Sequence, residues 1–158
     1  MSSDDEKSRD ELIYDIIVDR FEREWKRTND IDSKASSVTG FAGLLATLTA
    51  GISGLLPHAP YNFLFLIPLA VFTLSAFFGL LALWLRDFRV IQPDAFIDEY
   101  ANRTETEVLR RYVGTTSMFT MYNCKYNKDK TKWLSIAFSL LVLGIGLFFT
   151  IALANMLV

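Results

Sequence analysis

The chain has 158 residues, 51% of them apolar and 14% aromatic, and its mean hydropathy is +0.26. Its 16 Lys and Arg nearly cancel its 18 Asp and Glu, for a net charge of −2. Balanced, interleaved charge argues against bulk nucleic-acid binding, and a single cysteine, Cys124, leaves no disulfide framework or thiolate zinc site.

The apolar residues are segregated rather than mixed. Residues 35–56, 61–85 and 133–158 carry no charge, and each run exceeds the roughly 20 helical residues that cross a hydrocarbon core. Every charged residue falls in the two remaining blocks, 1–34 and 86–132. The expected fold is an all-α integral membrane protein with three transmembrane helices. Two of these are expected to extend as long helices into a cytoplasmic helical bundle.

In block 1–34, Ser8-Arg9-Asp10-Glu11 reads as a capping box that opens a helix. Neither Pro nor Gly follows before Gly40, so a single helix of roughly 45 residues is predicted to run on through the first span. A 3-4 spacing supports it. Tyr14, Val18, Phe21 and Trp25 form a large, apolar seam in the charged half. Thr28 and then Asp32, Ala35, Thr39, Ala42, Ala46, Thr49 and Ser53 continue it as a small, partly polar seam; this is the period of a helical bundle. The run starts too far into the chain, and is too long, to be a signal peptide.

The first span is rich in small residues. Ala42, Ala46, Ala50 and Gly54 recur every four positions, beside a parallel stripe of Gly43, Thr47 and Gly51. Small residues let helices approach closely in lipid. This span is therefore expected to be the buried one, with one face packed internally and the other meeting copies of itself in a homo-oligomer. If the seam faces a symmetry axis, repeated Asp32 carboxylates would ring a pore mouth and favour cations. If it faces a neighbouring helix, Asp32 would pair with Lys128, Lys130 or Lys132, and that pairing is preferred.

Pro57 and Pro60 turn the chain into the second span, where Pro68 predicts a kink near residues 64–68. Trp84 marks the far interface, anchored by Arg86 and Arg89. In block 86–132, a short helix is predicted over 94–101, and Thr104-Glu105-Thr106-Glu107 reads as a second capping box. A second long helix is predicted from about Glu105 through the third span, with Gly114 as its weak point.

All Lys and Arg lie in the two charged blocks, which places the N-terminus and the long loop in the cytoplasm and the C-terminus outside, in a multi-pass protein of the cell membrane. Lys34, Arg86, Arg89, Lys125, Lys128, Lys130 and Lys132 cluster at the membrane edge. They read as contacts to anionic lipid headgroups, with a nucleotide or phosphate site between subunits as the sharper alternative.

The three runs contain no Asp, Glu, Lys, Arg or His, which disfavours proton- or ion-coupled transport. The one histidine, His58, sits in the short outer connector as an ordinary loop residue. A Gly-rich phosphate loop, a His-Glu-x-x-His helix and a nucleophile elbow are all missing, so no enzyme activity, cofactor or metal is expected.

Two segments carry a family resemblance. Asp32-Ser33-Lys34-Ala35 closes a charged helix and leads into a small-residue span, and Lys130-Thr131-Lys132-Trp133-Leu134 leads a long helix into the last span. Both resemble segments of the transmembrane effectors of Pycsar antiphage systems and of related SLATT domains, which are usually described with two or four spans. The resemblance implies a prokaryotic membrane effector that forms pores or disrupts the membrane when a nucleotide signal arrives. The leading expectation is an oligomeric channel-like or pore-forming protein with the first span near the axis. The alternative is a membrane-anchored interaction protein that docks a cytoplasmic partner through its long helices.

Overall fold

A computed structural model describes residues 3–55, 61–84, 89 and 104–157. Within them the chain is helical. α1 spans Ser3–Leu55, α2 spans Leu66–Trp84 after a 3-10 turn at Asn62–Phe65, and α3 spans Glu105–Met156. All three helices are long and apolar enough to cross a membrane. The prolines at 57 and 60, His58, Arg86 and the helix expected over 94–101 lie outside the described residues.

The two long helices match the sequence pattern, with adjustments at their ends. α1 starts at Ser3, upstream of the box at Ser8, so that box does not open the helix. α3 begins where expected: the Thr104 carbonyl accepts from the Val108 amide at 3.0 Å, the first turn that an N-cap residue closes. Gly114 does not interrupt α3. The irregularity expected near Pro68 takes a different form from a mid-helix kink. Pro68 sits in the first turn of α2, where its missing N–H has no helical partner to lose.

The chain divides into two compact units. Met1–Asn29 and Asp87–Lys128 form one, which carries most of the charge; Asp30–Arg86 and Asp129–Val158 form the other, which is mostly apolar.

In the apolar unit the core is Val38 and Ala42 of α1, Phe72 of α2, and Ala137 and Leu141 of α3. Large side chains on one helix meet small ones on the next. Phe72, fully buried, lies over Gly144: a Cβ at that glycine would stand 2.6 Å from the Phe72 ring. At Gly79 the place of a side chain is taken by Thr39 and the Ala35 backbone. The Ser75 hydroxyl donates to the Ala137 carbonyl at 2.7 Å, joining α2 to α3 in the interior. Phe78 stacks on Trp133 with ring centres 5.6 Å apart, and Phe65 packs near Phe148 at 5.8 Å. At the far end, Ser53 donates to Asn62 at 2.8 Å and the Tyr61 amide donates to Asn155 at 3.1 Å.

In the charged unit α1 and α3 meet through Tyr14 and Tyr112, whose rings are 5.6 Å apart. They meet again through Thr28, whose hydroxyl donates to Asn127 Oδ1 at 3.0 Å, while Asn127 Nδ2 donates to the Glu24 carboxylate at 3.0 Å. Asn123 is fully buried and brackets the Arg89 backbone, accepting from its amide and donating to its carbonyl, both at 3.0 Å.

The glycine notch under Phe72 has no room for a methyl group. Gly144→Ala is expected to cost about 1–3 kcal/mol, the usual penalty of overpacking. Gly146→Ala, where a Cβ meets open space, should leave stability unchanged or slightly raised. Thermal unfolding of the two variants in the same detergent checks the contrast.

Candidate functional site

The candidate site is the membrane half of α1, which presents two different faces. The inner face is the 3-4 seam. Ala35 and Ala42 are fully buried, Thr49 nearly so, and Asp32, Thr39, Ala46 and Ser53 are half-buried. These residues pack against α2 and α3 of the same chain, where the seam meets Phe72, Ala137 and Gly79. Its hydroxyls are occupied there: Thr39 donates to the Ala35 carbonyl at 2.8 Å and Thr49 to the Leu45 carbonyl at 2.7 Å. A hydroxyl that bonds the carbonyl four residues back needs no water. The interior of a single chain is therefore a closed packing surface.

Asp32 closes the end of the seam. It accepts from Lys130 Nζ at 2.6 Å, and Lys130 is 1% exposed. This decides between the two readings of Asp32 within one chain, in favour of the pair. It also corrects the place given to Lys130, which does not stand among the headgroup-facing lysines. α3 turns Asn127, Lys130, Ala137 and Leu141 to one buried side at 3-4 spacing, and Lys130 falls on that side. Lys34, Lys125, Lys128 and Lys132 are exposed, as a headgroup role requires. Lys132 reaches toward the Trp133 ring at 6.0 Å. Arg89 instead places its guanidinium 4.2 Å from the Tyr122 ring centre, within cation–π range. Segments 32–35 and 130–134 thus meet through the Asp32–Lys130 pair.

The upper part of the seam is less uniform than its spacing suggests. Tyr14, Val18 and Phe21 are half-buried, but Trp25 is 46% exposed. Leu12, Ile16, Met118 and Met121 of the same unit are also exposed.

The outer small-residue face of α1 flanks the seam, about a third of a turn around the helix, while Leu44, Leu48 and Leu55 occupy the side opposite the seam. Gly40, Gly43, Thr47, Ala50, Gly51 and Gly54 are all exposed, and a Cβ at any of the four glycines would meet nothing within 4 Å. Thr47 donates to the Gly43 carbonyl at 3.0 Å. Within one chain most of the span of α1 is left unburied, as is most of the spans of α2 and α3. The seam residues pack inward, and the four exposed glycines face open space among the described residues.

No group of His, Cys, Asp and Glu able to hold a metal occurs among the described residues. In comparisons with known proteins, no family model, curated protein or solved structure matches the chain.

The ion pair gives a direct test. Asp32→Ala leaves the Lys130 ammonium buried without a carboxylate and is expected to cost about 2–3 kcal/mol, reduced from the fully buried case because Asp32 keeps some solvent contact. The double variant Asp32→Leu/Lys130→Met should recover most of that loss. Equal melting temperatures for wild type and Asp32→Ala would remove the pair as a structural element.

Proposed function

We propose that the protein is a subunit of an oligomeric, channel-like membrane assembly whose copies meet on the outer small-residue face of α1. The observation that carries this reading is the open row of Gly40, Gly43, Gly51 and Gly54 along the first span. A lipid-facing helix gains nothing from four glycines, whereas a helix–helix interface in lipid does. Asp32 is held by Lys130 and the seam by α2 and α3, so the lining of a conduit moves from the seam to the flanking small-residue face, around Gly43 and Thr47. The charged blocks set the orientation in this reading, with the N-terminus cytoplasmic and the C-terminus outside. The resemblance to small prokaryotic effectors adds a gate: a nucleotide signal acting on the charged unit. Calorimetry with cyclic mononucleotides tests that part, and a flat titration removes it.

A second reading rests on a different observation. Leu12 and Ile16 on α1 and Met118 and Met121 on α3 are each more than half exposed in the charged unit. Exposed apolar side chains of this kind suit a docking surface for a partner protein, with the spans serving as an anchor. Crosslinked pull-downs that recover no stoichiometric partner would weigh against it.

The channel reading predicts a reversal of reagent access. Cysteines placed at Gly43 and Thr47 should react with water-soluble thiol reagents and alter conductance in planar bilayers, while cysteines at Thr39 and Thr49 stay unreactive. Gly51→Leu should lower conductance at least about tenfold by forcing copies apart. Reactive Thr39→Cys beside inert Thr47→Cys would sink the proposal.

A further inference from the structure

Beside the outer face of α1, a groove of about 520 Å³ opens between α1 and α3 within the apolar unit, a volume in the range of small-molecule sites. Its two ends differ in chemistry. At the end bordering the charged block lie Lys34, Ser37 and Ser135; deeper in the apolar run lie Phe41, Phe138 and Leu141. Lys34 is exposed and makes no ion pair among the described residues. No carboxylate lines the groove. Phe41 and Phe138 are 64% and 56% exposed, so the apolar end is open to whatever surrounds the helices.

We propose that this groove is a binding site for one anionic phospholipid, with its phosphate at Lys34 and the Ser135 hydroxyl and an acyl chain laid along Phe41, Phe138 and Leu141. The order of the residues matches the order of the ligand. Lys34 is the last charged residue before the first uncharged run, which sets it at headgroup level, and each helical turn beyond it descends about 5.4 Å into the hydrocarbon. The Ser37 hydroxyl gives its proton to the Ser33 carbonyl at 3.0 Å and so can only accept, from a hydroxyl of a glycerol headgroup, while the Lys34 ammonium offers three donors to the phosphate. A lone cation above an uncharged, aromatic-walled slot complements an anionic amphiphile. A zwitterionic lipid would bring its own cation to Lys34 and lose that advantage. The site is independent of how many copies assemble.

Native mass spectrometry of the full chain in detergent tests it, with phosphatidylglycerol and phosphatidylcholine of identical acyl chains as probes. We expect one phosphatidylglycerol per chain, preferred about fivefold, the worth of one lysine near an anionic surface. Lys34→Gln should abolish the preference while keeping the melting temperature, and Ser135→Trp, which fills the groove, should remove both adducts. Glycerol phosphate, a headgroup without chains, should displace nothing. Equal binding of the two lipids by wild type, an unchanged preference in Lys34→Gln, or displacement by glycerol phosphate would overturn the proposal. So would disulfides between chains carrying Phe41→Cys and chains carrying Phe138→Cys in a Cys124→Ser background, which would put a second copy in the groove.

Discussion

A buried ammonium group sets the geometry from which the rest of the apolar unit follows. Lys130 is the one charged side chain buried among the described residues, and its Nζ reaches the Asp32 carboxylate at 2.6 Å. A buried lysine needs a partner, because the cost of leaving it alone exceeds that of almost any repacking. The pair therefore fixes how α1 and α3 are rotated and how far each slides along the other where both enter their uncharged runs. Once Lys130 faces α1, helical steps of three and four bring Ala137 and Leu141 to the same interior. From Asp32, the same steps bring Ala35, Val38 and Ala42 inward. α2 then completes the core with Phe72, which Gly144 admits, and with Gly79, which Thr39 fills.

That register also determines what α1 has left over. Turning the seam inward turns Gly40, Gly43, Thr47, Gly51 and Gly54 outward. Without water, backbone groups must be satisfied within helices, and helix association relies on close packing. A glycine row on the outside is poorly used unless another helix lies against it. The apolar unit is thus closed on the side of its seam and open on the flanking small-residue face of the same helix. This asymmetry is why the proposed assembly places copies at the outer face and keeps the hydrogen bonds of the inner hydroxyls inside each chain.

Much of this was legible in the residues themselves. The three uncharged runs and the long Pro-free stretches led to α1 and α3 within a few residues of their ends, since length and composition suffice for that. The 3-4 seam from Asp32 to Ser53 was legible as a packed face, because spacing fixes which residues share a side. Which partner that side meets was not legible, because periodicity says nothing of the neighbour. Only the coordinates turn the seam toward α2 and α3. Composition treats basic residues near a span alike, so Lys130 reads both as a headgroup contact and as one of three partners for Asp32; its 3-4 spacing from Asn123 and Asn127, which share its buried side, is the signal that separates it. The exposure of Trp25 and the groove beside Lys34 depend on where α3 lies and had no counterpart in a single-helix pattern.

The central claim is that the outer face of α1 is where copies meet. Imaging the full chain in lipid nanodiscs tests it most directly, with a label on Gly43→Cys to mark that face. The account predicts a closed ring with the label at the subunit contacts nearest the symmetry axis. A monomer, or an oligomer with the label at its lipid-facing rim, would contradict it.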